Sequence, residues 1–201
     1  MQNWKTALAA ALMVTAMPAA RLAAQSPAPT YAPTYAQDKA EIEDLMARYL
    51  FAIDYFDWDA YMATFAPDAE LEFASGTYRG QAEIREAVTR FSENIGRFYH
   101  TEDGQPAKLR HVVLQSAVRV EGDRAWGTTL WVEMANNGPG DTMKMGTYGI
   151  YEDQFSRLDG RWLIQRRRVL NEFLPGRESG PENPVRGMDS AADAARGGGR
   201  R

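Results

Sequence analysis

Residues 108–134 read KLRHVVLQSAVRVEGDRAWGTTLWVEM, two runs rich in β-branched and aromatic residues on either side of Glu121-Gly122-Asp123. Glycine beside an acid between two such runs is a tight-turn signal, so Lys108–Val120 and Arg124–Met134 are predicted to pair as an antiparallel hairpin. Met143–Leu158 and Arg161–Leu170 repeat the pattern around Asp159-Gly160. The longer turn Asn136-Asn137-Gly138-Pro139-Gly140 joins the two hairpins. No helical stretch interrupts these four strands, which predicts an antiparallel meander rather than alternating βα units.

Upstream the periodicity changes. Ile42, Leu45, Met46, Tyr49, Leu50 and Ile53 recur at helical spacing, predicting an amphipathic helix over Asp38–Phe56 with acidic residues in its first turn. Asp57 is placed to cap a short second helix, Trp58–Phe65, which Pro67 ends. Glu70–Phe73 alternates like a strand, Gly76–Gly80 reads as a turn, and Gln81–Phe98 reads as a third helix burying Ile84, Val88, Phe91, Ile95 and Phe98. Helices followed by an antiparallel sheet define an α+β domain with the helices packed on one sheet face.

Both ends differ in composition from this middle. Lys5, the apolar run Ala7–Met17 and the small residues Ala19–Ala24 form a signal-peptide pattern over residues 1–24. The apolar run is too short to span a bilayer, so the expectation is export, to a bacterial periplasm, with no stable membrane insertion after cleavage. Residues 25–37 are expected to be a flexible linker, 38–173 the single folded domain, and 174–201 a disordered tail rich in Gly, Pro, Arg and Ala. The chain has 201 residues, a net charge of −4 and no cysteine. An acidic balance argues against a nucleic-acid partner, and Arg166-Arg167-Arg168 does not reverse this, because strand side chains alternate between faces. Without cysteine there is no thiolate nucleophile and no disulfide framework.

One segment carries chemistry. In Tyr49-Leu50-Phe51-Ala52-Ile53-Asp54-Tyr55-Phe56-Asp57-Trp58 a tyrosine and an acid sit among apolar residues near a helix end, and the chain has only two histidines, His100 and His111, to partner that acid. If His111 meets Asp54, an acid–base centre exists that needs no metal or organic cofactor. The alternatives are structural: His111 packed within its strand, Asp54 bonding the backbone of the turn that follows, Tyr49 filling the core. His100 reads as a loop residue. Two histidines eleven residues apart, with no local acidic cluster, match no metal site.

The helix ending Arg48-Tyr49 and Asp54, then Phe65-Ala66-Pro67-Asp68-Ala69, Gly76-Thr77-Tyr78-Arg79-Gly80 and Arg157-Leu158-Asp159-Gly160-Arg161-Trp162, together resemble a SnoaL-like domain of the nuclear-transport-factor-2-like superfamily over residues 38–173. The resemblance implies a cone-shaped barrel, a curved sheet wrapped around helices with a deep pocket, assembled as a homodimer or homotrimer. It is closest to the lyase branch of bile-acid dehydratase, scytalone dehydratase and hexachlorocyclohexane dehydrochlorinase. That branch implies Asp54, His111 and Tyr49 as catalytic residues and Glu133 at a pocket carboxylate. A pocket arginine of the bile-acid enzyme falls at Asn171 by ungapped alignment, with Arg168 three residues earlier. Cofactor-independent dehydration, elimination or formaldehyde-releasing cleavage is the implied chemistry.

Elimination requires a base active near neutral pH, which histidine supplies, and a carboxylate on its other ring nitrogen fixes the tautomer and stabilises the imidazolium. Asp54 would orient, His111 would move the proton, and Tyr49 would donate to a leaving hydroxyl or an oxyanion. The many aromatic residues, with Tyr55, Trp58, Trp131 and Tyr148 expected to line the pocket, favour a hydrophobic, aromatic or polycyclic hydroxylated substrate. The same fold also serves isomerases, cyclases and non-catalytic ligand-binding or dimerisation modules.

Overall fold

The computed structural model describes residues 31–73 and 76–198. The expected signal segment, 1–24, lies outside the described residues. Helix α1 spans Tyr35–Asp54, so it begins inside the segment read as linker. It is followed by α2, Trp58–Met62, and by strands β1, Phe65–Phe73, and β2, Gly76–Arg79. Helix α3 covers Gly80–Ile95, and the meander comprises β3 (Leu109–Glu121), β4 (Arg124–Ala135), β5 (Lys144–Leu158) and β6 (Arg161–Val169). Helix α4, Pro184–Gly198, closes the described chain. Among the described residues, no helix is long and apolar enough to cross a membrane.

The six strands lie in the order β2-β1-β6-β5-β4-β3, antiparallel throughout except for the parallel β1–β6 pair. Both predicted hairpins are present, with Gly122 and Gly160 at positive φ in their turns. The apolar stripe of α1, with Ile42, Leu45, Met46, Tyr49 and Leu50 all buried, packs into a core with Val118, Trp131, Tyr151, Phe155 and Ile164 from the sheet. Each such burial contributes about 1.5–3 kcal/mol, which is why the helix period in the sequence survives into the structure.

The structure revises four local readings. Pro67 does not end a helix; α2 stops at Met62, and Pro67 lies in β1, where the register with β6 breaks between Phe65 and Glu70. A proline, lacking an N–H, fits such an interruption. Gly76–Arg79 is a strand paired antiparallel to β1, not a turn. Helix α3 ends at Ile95 rather than Phe98; it buries Ile84 and Val88, half-buries Ile95 and leaves Phe91 exposed, and Phe98 beyond its end is exposed too. Residues 184–198, read as part of a disordered tail, form α4, anchored to the outer face of β3 by Arg119, which bonds Asp189 and Asp193.

Candidate active site

Asp54 is the last residue of α1, and the chain leaves it by a tight reversal. Phe56 adopts a left-handed conformation, φ 56°, while its N–H bonds Ile53 O and the Asp57 N–H bonds Ala52 O. This is the Schellman arrangement, usually built on glycine. Asp57 then caps α2 by accepting from the Ala60 N–H at 3.0 Å, as its sequence position predicts. The reversal leaves the Asp54 side chain aimed at β3.

Both Asp54 oxygens are used there. Oδ1 lies 2.7 Å from His111 Nδ1 and Oδ2 accepts from the His111 backbone N–H at 2.9 Å. An ionised carboxylate only accepts, so Nδ1 carries the hydrogen and Nε2 holds the free lone pair. Gripping ring and backbone at once fixes both the tautomer and the orientation of the imidazole. The carboxylate is almost fully buried, whereas the histidine side chain keeps 15% of its surface exposed. A cavity of about 470 Å³ between α1 and β3 has Asp54 and His111 in its wall, with Met46, Leu50, Phe51 and Val113.

The second ring nitrogen faces another carboxylate. His111 and Glu133 are directly opposed across β3 and β4, hence on one face, and Nε2 stands 3.9 Å from Glu133 Oε2. That is beyond hydrogen-bond length, so the two groups face each other without a direct bond. Glu133 is buried, and its other oxygen accepts from the Tyr99 hydroxyl. Gly146 makes room for it: a side chain there would run into the Glu133 carboxylate. Burial first, then the bond to Glu133 and its charge, raise the affinity of the Tyr99 hydroxyl for its proton, so it stays a donor at physiological pH.

Tyr49, on the apolar stripe of α1 beside Leu50, is buried and accepts from the Tyr61 hydroxyl at 3.1 Å. Its ring lies 4.0 Å from the guanidinium of Arg167. Trp131, two residues before Glu133, is buried, stacks on Tyr151 at 5.6 Å and sits 6.1 Å from the His111 ring. Trp58 packs edge-on against Tyr61 at the core margin. The Asn171 amide donates to Thr147 and its oxygen accepts from the Phe173 N–H, closing the turn after β6.

Tyr49, Trp58, Trp131, Glu133 and Asn171 do not line the cavity beside Asp54 and His111, and three further residues expected at the pocket lie elsewhere. Tyr55 is exposed and packs under the Arg110 guanidinium. Tyr148 pairs with Val132, on the face opposite Trp131, and packs edge-on against Phe173. Arg168 is on the outer face, bonded to Glu72 and Glu152. The inward arginine is Arg167, fully buried, because the β5–β6 register jumps from Phe155–Ile164 to Gln154–Arg166. The extra residue, Gln165, inverts the alternation that a regular strand would keep. Sequence reasoning also missed Tyr99, whose only signal was its place beside His100 in a loop.

A curved, mainly antiparallel six-strand sheet packed on helices is the α+β architecture of the nuclear-transport-factor-2-like, cystatin-like fold. Residues 34–168 match the SnoaL-like domain family, and the chain belongs to it. No curated protein matches the chain. Among solved structures it is similar to Rv3472 of Mycobacterium tuberculosis, a protein of unknown function, at 24% identity and TM-score 0.59 over 82% of this chain and 92% of that one. A candidate scytalone dehydratase from Novosphingobium aromaticivorans matches at 18% identity and TM-score 0.59, covering 75% of this chain and 97% of that one. An NTF2-like protein with a cystatin-like fold from the same organism matches at 22% and TM-score 0.57, covering 76% and 89%. At these identities the likeness establishes the fold alone.

Proposed function

We propose that the protein is a cofactor-independent lyase that eliminates water from a hydrophobic, hydroxylated small molecule, with the leader-like N-terminus directing it out of the cytoplasm. The observation that carries this reading is the double grip of Asp54 on His111, which places the ring hydrogen on Nδ1 and leaves Nε2 3.9 Å from the Glu133 carboxylate. His111 Nε2 removes a proton from carbon, the neighbouring carbon–oxygen bond breaks, and the imidazolium returns the proton to the departing hydroxide; one alcohol gives one alkene and one water. Asp54 stabilises the imidazolium while it exists. The family resemblance assigns Tyr49 to the developing negative charge on the substrate, although its hydroxyl accepts from Tyr61 within the core. Family membership and the scytalone dehydratase candidate among the similar structures support this chemistry.

The test is a screen of hydroxylated aromatic and steroid-like compounds, followed by mass spectrometry for loss of one water. Turnover by the wild type and none by His111→Gln is the expected result. Turnover retained by His111→Gln, or every bound compound recovered unaltered, contradicts it, the latter in favour of a binding module.

A further inference from the structure

The loop between α3 and β3 is absent from any account built on Asp54, His111 and Tyr49 alone, yet it reaches the site. It is tied down at its base: the Tyr99 carbonyl accepts from the Ala107 N–H at 2.9 Å, His100 bridges to Pro106, and the Thr101 N–H bonds Gln105 O at 2.9 Å. From this braced position the Tyr99 hydroxyl bonds Glu133 Oε1. With Oε1 held and Gly146 leaving room beneath the carboxylate, Oε2 is the oxygen turned toward His111 Nε2.

We propose that Tyr99 is a positioning residue: it fixes the Glu133 carboxylate so that its charge faces His111 Nε2 and stabilises the imidazolium from the side opposite Asp54. This rests on the proton-transfer reading above and deepens it. The groups around the imidazole are then Asp54 from α1 at Nδ1, Glu133 from β4 at Nε2, and Arg110, the preceding residue on β3, whose guanidinium lies 3.4 Å from the Asp54 carbonyl and 4.5 Å from the Tyr55 ring centroid. A donor on Oε1 favours the ionised carboxylate, and an anion near Nε2 favours the protonated ring. Tyr99 therefore acts on His111 only through Glu133. Burial also keeps the tyrosine proton in place through the range where histidine titrates, so the device does not switch itself off.

The experiment is an NMR titration of the His111 ring in the full-length protein, with His100→Gln used to assign the two histidine signals. Glu133→Gln, which removes the charge facing Nε2, should move the His111 midpoint to lower pH. Tyr99→Phe, which keeps the ring and removes the donor, should lower it in the same direction by a smaller amount, and should add nothing in the Glu133→Gln background. An unmoved midpoint in Tyr99→Phe, or a Tyr99→Phe shift that persists without Glu133, overturns the proposal. The titration needs no turnover, so its failure is distinct from retained activity in His111→Gln, which would sink the lyase reading itself.

Discussion

The Asp54–His111 and Asp153–Arg167 pairs each bring a carboxylate within 2.7 Å of a nitrogen base in the interior of the domain, and they are otherwise opposites. Asp153 and Arg167 are wholly buried, joined by two bonds, with the guanidinium 4.0 and 4.3 Å from the centroids of Tyr49 and Tyr151. Burial opposes the Arg167 charge, but the Asp153 carboxylate outweighs it and raises the affinity for the proton. Burial pushes the Asp153 carboxyl up, and the Arg167 charge and bonds oppose that shift. His111 keeps one nitrogen free, faces a second carboxylate and forms part of a cavity wall. A buried carboxylate thus closes an ion pair where its partner is permanently charged and enclosed; where its partner keeps a free ring nitrogen and one side is open, the role we propose for it is proton transfer.

The sharpest way to break this contrast is to exchange the two phenotypes. His111→Gln should lower elimination by about 10²–10⁴-fold, the usual contribution of a general base, with a smaller loss of stability than the next variant, because the residue 111 N–H still holds Asp54 Oδ2. Arg167→Met should do the reverse in kind: it strands a buried carboxylate and should cost about 3–5 kcal/mol of stability by urea denaturation, much of which Asp153→Leu in the same chain restores. An equal loss of stability in the first, or none in the second, removes the distinction.

A smaller effect concerns the rings that enclose Arg167. Burial, and then the proximity of Tyr49, hold the Tyr61 and Tyr151 hydroxyls neutral beyond the pH at which an unfolded tyrosine ionises. A raised folded-state pKa contributes stability that is complete below the unfolded value, about 10, and is lost as pH rises past it. Thermal unfolding between pH 9 and 11 should therefore show a falling midpoint, and Tyr61→Phe should flatten the fall.

Smaller still is the strain beside Asp54. Phe56 is exposed and sits at a left-handed position that glycine occupies without cost, so Phe56→Gly should stabilise by up to about 1 kcal/mol in chemical denaturation. Arg168→Ala, on the outer face, should change stability by about 0–1 kcal/mol and leave turnover untouched. A large loss of activity there would place Arg168 in the site after all.

What the sequence reveals here follows the range of the interaction that decides each feature. The α1 stripe, the Asp57 cap and both Gly-containing hairpins depend on residues a few positions apart, and all are legible. The Asp54–His111 contact joins positions 57 apart, and resemblance to a family, rather than local pattern, brings them together. Arg167 is illegible because a single extra residue at Gln165 inverts the face of everything after it. Pro67 misleads because a proline that ends a helix and one that sits in a strand irregularity look alike in sequence. Tyr99 has no periodic context at all, and only the folded loop shows that it reaches Glu133. For α4, the Gly- and Arg-rich composition conceals an amphipathic face whose partner, Arg119, lies 70 residues earlier.

In the proposed reaction Asp54 and His111 act as one unit. A double-mutant cycle of Asp54→Asn and His111→Gln, read as kcat/KM on whichever compound the screen identifies, tests it most directly. Residues that work as a unit are strongly non-additive, so the double variant should be no slower than His111→Gln alone. Effects that multiply, leaving the double variant slower by the product of the two single losses, would show that Asp54 and His111 act independently.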